Sequence, residues 1–228
     1  MVRAGGGRNT KDAMAGKFIT FEGGEGAGKS TQIKRLAETL EAAGHTVVVT
    51  REPGGTPTAE EIRRMLLAGL AEQLGPDGEA VLFAAARADH VERVIRPALR
   101  AGKWVLSDRF SDSTKVYQGV GGGADRGVLD ALDRVSVGRT QPDLTIVLDV
   151  PVELGLSRAA RRMEQSGKAP DRFERDDITL HEARRQAFLA IAKAEPKRVA
   201  VIDATHSEEA TADAVWQTVT ARLLERAA

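Results

Sequence analysis

The chain has 228 residues, with 33 basic and 33 acidic side chains, 42% hydrophobic content and no cysteine. This length suits one large α/β domain with room for short inserted lids. Cancelling charge leaves no global field to draw nucleic acid or an anionic membrane, and the missing cysteines exclude disulfides, thiolate catalysis and cysteine-based zinc sites, in keeping with a cytoplasmic protein.

No apolar run in the sequence reaches the roughly 18 residues needed to span a bilayer. Met1 to Gly16 is polar and glycine-rich and lacks the apolar stretch of a secretory signal. It reads as a disordered leader or an expression remnant, with Met14 as a natural start, ahead of a single domain over residues 17–228. Phe18 to Ser30, F-I-T-F-E-G-G-E-G-A-G-K-S, leads from four residues of alternating bulk through a glycine cluster into a helix carrying Ile33, Leu36, Ala37 and Leu40. Within it, Gly23 to Ser30 satisfies G-x-x-x-x-G-K-[ST] in the strand, loop and helix context that the motif requires. Backbone N–H groups along Gly23, Gly24, Glu25, Gly26, Ala27, Gly28, Lys29, Ser30 and Thr31 are expected to converge on phosphate oxygens, helped by the positive end of the helix dipole. Lys29 is placed to reach β- and γ-phosphates, and the Ser30 hydroxyl to ligate Mg²⁺. The first expected partner is a nucleoside triphosphate.

The first helix should end near Ala43 with Gly44 as its left-handed cap. Thr46 to Thr50, T-V-V-V-T, reads as a buried strand ending at Arg51-Glu52-Pro53-Gly54-Gly55. Charged residues at such strand ends lie where open α/β sheets bind ligands, so Arg51 is either a phosphate clamp or a surface salt-bridge partner. A helix over Thr58 to Leu70 precedes another that starts near Gly78 and runs until Pro97 interrupts it. On the latter, Phe83 and Arg87 share a face at i and i+4, suited either to a planar base or to plain core packing.

Trp104 to Phe110 is an apolar strand that delivers Asp108 and Arg109 at its carboxyl end, the first for Mg²⁺ and the second for a phosphate. The amphipathic segment Ser113 to Gln118 follows, then a mobile loop over Gly119 to Gly127 with five glycines. Val128 to Val137 is expected to be a short helix burying Leu129, Leu132 and Val135. Leu144 to Val150 is a further buried strand, and Asp149 at its end competes with Asp108 for the metal. Val152 to Met163 forms a helix with Arg158, Arg161 and Arg162 in its basic half. It leads into a charged lid over about residues 159–175, whose arginines either close on transferring phosphates or lie solvated. A helix over Leu180 to Ala194, a strand over Val199 to Asp203 and a final helix over Glu208 to Arg226 complete the chain. Five strands separated by helices argue for a parallel sheet covered on both faces. All four histidines, His45, His90, His181 and His206, are expected on surfaces.

Taken together, F-E-G-G-E-G-A-G-K-S, the Arg51-Glu52-Pro53-Gly54-Gly55 loop, the Phe83 to Arg87 helix and Asp108-Arg109-Phe110-x-x-Ser113-Thr114-x-Val116-Tyr117-Gln118 resemble the bacterial thymidylate kinases, over about Lys17 to Leu224. The last of these elements is far more specific than the first. The resemblance implies a P-loop NTPase fold and transfer of the γ-phosphoryl group of ATP to dTMP with Mg²⁺. It implies that Phe83 stacks on thymine, Arg87 donates to its edge, and Thr114, Tyr117 and Gln118 line the acceptor site. It also implies that Arg51 and Arg109 hold the acceptor phosphate, and that Glu25 accepts from the 3′-hydroxyl. The glycine loop carries no arginine, so by the family pattern the lid must supply the transition-state cation, from Arg161 or Arg162 with Arg158 and Arg172 in reserve. The family also implies a homodimer, for which Val81, Leu82, Val91 and Val94 offer an apolar face. Two other readings stay open. One is a kinase for another nucleoside monophosphate or for a nucleoside, the latter with Glu52 as base; the other is a nucleotide-dependent switch, although no N-K-x-D motif occurs.

Overall fold

The structure, a computed structural model, describes residues 16–167, 172–173 and 176–225. Most of the expected leader and part of the expected lid (168–171 and 174–175) lie outside the described residues. Five parallel strands, β1 (Phe18–Glu22), β2 (Val47–Arg51), β3 (Trp104–Asp108), β4 (Leu144–Asp149) and β5 (Val199–Asp203), form one sheet in the order β2-β3-β1-β4-β5. The chain therefore winds outward in both directions from β1, and ligands of such sheets bind at the carboxyl ends beside that reversal. Register completes the placement: Phe21 lies opposite Asp108, and Asp108 opposite Arg51.

Burial follows from that order. All five residues of the central β1 are fully buried, and alternation sends Ile19 and Phe21 into one core and Phe18 into another. The first core lies beneath α1 (Lys29–Ala42) and α9 (Glu208–Val219), through Ile33, Leu36, Leu40, Val215 and Val219. On the opposite face, Val91, Ile95 and Phe110 pack with Phe18 and Val105. Phe188 of α8 (Ile178–Ala194) packs there with Val116 and Tyr117. Helix α1 ends as expected, with Gly44 left-handed at φ 89° and its N–H, with that of His45, returning to Glu41 and Leu40 carbonyls.

Several expectations change. β2 is an edge strand, not a buried one, and Val49 is 55% exposed. Helix α2 (Pro57–Leu67) forms near its expected place, while α3 begins at Gly75 and runs to His90. Pro97 does not stop it: a π-helical turn, Val91–Ile95, leads into α4 (Arg96–Arg100). Widening the hydrogen-bond ring just before a proline accommodates its missing N–H and its ring. After α5 (Ser111–Thr114) a second π-helical turn spans Lys115–Val120, so the glycine-rich loop shrinks to the residues before Asp125. Asp125 caps α6 (Arg126–Ser136) by accepting the Val128 N–H at 3.0 Å. Leu129 is buried on that helix, but Val135 is 81% exposed and turned from the core. Helix α7 (Val152–Ser166) extends three residues past its expected end and closes on left-handed Gly167. The histidine expectation fails twice, since His90 is fully buried and His181 nearly so.

Candidate active site

The glycine loop between β1 and α1 wraps tightly. A Cβ at Gly23 would come within 2.5 Å of the Leu148 carbonyl, and one at left-handed Gly26 would collide with the Gly155 carbonyl of α7. Only glycine allows the loop to lie this close to both neighbours. Lys29 is buried and donates Nζ to the carbonyls of Gly23 (3.1 Å) and Gly24 (2.9 Å), an arrangement that holds its ammonium along the loop. Burial, and then the charge of Arg109, depress its pKa. At the start of α1, Ser30 Oγ donates to Asp108 Oδ2 at 2.9 Å. The other candidate metal ligand, Asp149, is engaged instead by Arg185, which donates Nε and Nη2 to its two carboxylate oxygens at 2.7 and 2.9 Å. The paired hydroxyl and carboxylate of Ser30 and Asp108 are hard oxygen donors of the kind that could hold Mg²⁺ beside nucleotide phosphates.

Arg109 follows β3 in the left-handed region, φ 68°, which a non-glycine residue adopts only when its surroundings impose it. They do. The Arg109 N–H donates to the Phe21 carbonyl at 2.9 Å, and its own carbonyl accepts from Ser107 Oγ at 2.8 Å. The next N–H, of Phe110, donates to Glu22 Oε1 at 2.8 Å. The guanidinium then turns toward the glycine loop, where Nη2 donates to Glu25 Oε1 (2.7 Å) and the Tyr117 hydroxyl (2.9 Å), and Nη1 to Ser113 Oγ (3.1 Å). Tyr117 itself donates to Glu25 at 2.9 Å. Burial drives the Glu25 carboxyl upward, but Arg109, Lys29 and the Tyr117 hydroxyl outweigh it and hold the pKa at about 2. Glu25 is therefore a fixed anion between two fixed cations.

The cleft lined by this triad has a volume of about 530 Å³ and reaches Phe83, Arg87, Thr114 and Gln118 on α3 and the segment after β3. Arg87 is buried: Nε donates to Glu52 Oε2 at 2.7 Å, and Nη2 to Thr114 Oγ1 at 2.7 Å and the Phe110 carbonyl at 3.3 Å. The second Glu52 oxygen bonds His90 Nδ1 at 2.9 Å, and His90 Nε2 bonds Thr50 Oγ1 at 2.7 Å. Gln118 Nε2 donates to buried Glu79 at 2.9 Å. Arg51, at the mouth, is 54% exposed and pairs with Glu60 at 3.0 Å. A phosphate-binding loop, an aromatic wall at Phe83 and several arginines thus share one opening, a combination that points to two phosphorylated nucleotides side by side.

Known proteins agree. The sequence profile of the family described as thymidylate kinase matches residues 21–215. The chain belongs to the thymidylate kinase family. It is 56% identical to the thymidylate kinase of Nitrobacter winogradskyi, covering 93% of this chain and 92% of that one. It is 55% identical to that of Rhodopseudomonas palustris strain TIE-1, over 94% and 93% of the two chains. Among solved structures it is similar to the thymidylate kinase from Ehrlichia chaffeensis, with a TM-score of 0.71, 33% identity, and 90% of this chain and 99% of that one covered.

Against the expectations for this family, the cleft gathers Glu25 to Thr31, Arg51, Phe83, Arg87, Asp108, Arg109, Thr114, Tyr117 and Gln118 along one wall or another. Gly23 and Gly24 lie behind it and present their carbonyls to Lys29. Of the lid pair, Arg162 lines the cleft, whereas exposed Arg161 does not. The reserves are engaged elsewhere: Arg158 donates to the Ala204 carbonyl at 2.8 Å, and Arg172 pairs with Glu72 at 3.0 Å and with Glu79. Sequence reasoning gave no role to Glu22, Ser113, Glu79, His90 or Phe173. The signal for Glu22 was present, an acid closing the strand Phe18 to Phe21 immediately before the glycine cluster.

Proposed function

We infer that this chain transfers the γ-phosphoryl group of ATP to dTMP, giving dTDP and ADP. The observation that carries the reading is the placement of two guanidiniums, Arg51 and Arg109, in the same cleft as the phosphate-binding loop and Phe83. A neutral nucleoside hydroxyl would leave both without a charge to meet. An acceptor phosphate gives them one, and it is already an anionic nucleophile that needs no base. Glu52 is poorly suited to a base's part in any case, since Arg87 and His90 engage both its oxygens.

In this reading Lys29 and the loop amides bind the β- and γ-phosphates, and Arg109 and Arg51 orient the acceptor phosphate for in-line attack. Phe83 supplies a face for thymine. Arg87 Nη1, which has no partner among the described residues, donates to the base edge. Glu25 accepts from the 3′-hydroxyl, and Tyr117, Thr114 and Gln118 shape the sugar and base walls. Ser30 and Asp108 would hold Mg²⁺, which supplies charge neutralisation across the donor phosphates. Arg162 is the lid cation that meets the charge spreading over the transferred group.

ADP formation from Mg-ATP with dTMP, dUMP, UMP, CMP, AMP, GMP and thymidine tests the assignment. Strong stimulation by dTMP, weaker by dUMP and none by thymidine is expected; stimulation by thymidine alone contradicts it. The preference for dTMP over dUMP rests on one methyl group, worth roughly 1 to 3 kcal/mol in an apolar pocket.

We also propose a homodimer in the cytoplasm. Its expected face needs revision, because Val91 is buried in the chain's own core, while Val81 remains 48% exposed and Leu70 and Leu74 before α3 are 62% and 58% exposed. Light scattering should give about twice the chain mass of 24.4 kDa; a species of single mass at micromolar concentration contradicts the dimer.

A further inference from the structure

Glu22 is fully buried at the end of the central strand, with both carboxylate oxygens occupied. Oε1 accepts the Phe110 N–H at 2.8 Å, the amide immediately after left-handed Arg109. Oε2 accepts from Ser113 Oγ at 2.5 Å, and the same Ser113 oxygen accepts from Arg109 Nη1 at 3.1 Å. One buried acid therefore grips the Arg109 turn from both sides, by its backbone and through a hydroxyl that aims its guanidinium. We propose that Glu22 is a positioning residue that sets the turn and the side-chain direction of Arg109, and through them the grip on the acceptor phosphate. The proposal rests on the acceptor reading above.

The relay is directional. A carboxylate can accept from both Phe110 and Ser113, leaving the Ser113 lone pairs for Arg109. A protonated acid keeps one acceptor oxygen and must donate from the other, which reverses the Ser113 bond and removes a negative charge one hydroxyl away from the guanidinium. The charged groups facing Glu22 are Lys29 from α1, Arg109 from the turn and Asp112 from α5. Asp112 is itself paired with Arg198 at 2.7 Å and Lys115 at 3.4 Å. Burial and Asp112 push the Glu22 carboxyl up against the pull of Ser113, Arg109 and the Phe110 N–H, leaving it at about 7. The relay should therefore switch within an accessible pH range.

Turnover of dTMP by the wild-type chain judges the acceptor reading by itself. The substitution Glu22→Gln judges Glu22. It should raise KM for dTMP about tenfold at about pH 8 with KM for ATP within about twofold, and the ratio between the two proteins should fall toward one near pH 5.5, where the wild-type acid is protonated too. The acceptor phosphate also titrates in this range, but equally for both proteins, so it cancels from the ratio. A ratio that does not move with pH, or equal changes in the two KM values, overturns the proposal. If Glu22→Gln does not fold, Ser113→Ala decides, since it leaves the Phe110 bond and cuts only the link to the guanidinium. It should raise KM for dTMP about threefold with KM for ATP unmoved; an unchanged KM for dTMP overturns the proposal.

Discussion

Arg109 and Arg162 line the same cleft but are held in different ways. Arg109 has only 17% of its side chain exposed, a backbone fixed at φ 68° and bonds to Glu25, Tyr117 and Ser113. Arg162 lies exposed on α7 and reaches the cleft from that helix. Arg51 is intermediate, rooted in β2 yet half exposed and paired with Glu60. On the proposed reading, Arg109 is a cation ordered before the acceptor arrives, so little side-chain entropy is lost when it binds. Arg162, proposed to meet charge that develops only in the transition state, would then raise kcat rather than affinity.

The comparison breaks most readily at Arg162. Arg162→Ala should lower kcat about 10³-fold with KM for dTMP changed less than about threefold, while Arg161→Ala stays within about twofold of wild type. Equal losses from the two changes, in a steady-state assay, would show that the cleft-facing position of Arg162 does not matter. Next in size, Arg109→Ala should cut kcat/KM for dTMP about 10²-fold, because it removes a charge-assisted clamp and leaves buried Glu25 with one fewer partner.

These two regions also differ in how far the sequence disclosed them. The phosphate loop was legible because its chemistry is local: eight consecutive residues with a strand before and a helix after dictate its shape. Arg109, Thr114, Tyr117 and Gln118 were legible because they fall within one short element specific to the family. What stayed hidden depends on the order of the strands. The apolar residues of T-V-V-V-T look the same whether β2 is central or at an edge, and the edge position, with Val49 exposed, emerges only in the folded sheet. Glu22 and His90 are polar residues whose burial becomes favourable only once distant partners arrive, Phe110 and Ser113 for the first, Glu52 and Thr50 for the second. The engagement of Asp149 likewise stayed hidden, because Arg185 lies 36 positions away from it in the chain.

A smaller effect sharpens the intermediate case. Arg51→Ala should raise KM for dTMP about tenfold with kcat little changed, and Glu60→Gln, which frees Arg51 from its partner, should lower that KM by up to about threefold. Binding isotherms at low and high salt check it, since an exposed pair weakens with screening.

The smallest effects are on stability, and they carry opposite signs. Glu25 lies at about 2 in the fold, below its ordinary 4.5, so its contribution is complete above about pH 4.5 and is lost as pH falls toward 2. Glu22 lies at about 7, above its ordinary 4.5, so the native state holds its proton longer and stability declines as pH rises from about 4.5 to 7. Urea midpoints against pH should therefore lose their acid limb in Glu25→Gln and their decline toward neutrality in Glu22→Gln.

The central claim is that the acceptor end is built for a phosphate before ATP arrives, and its most direct test is titration calorimetry of dTMP and thymidine into the chain without ATP or metal. dTMP should bind at least about 100-fold more tightly, as two guanidiniums meeting one phosphate dianion should provide. Equal affinities for dTMP and thymidine would contradict it.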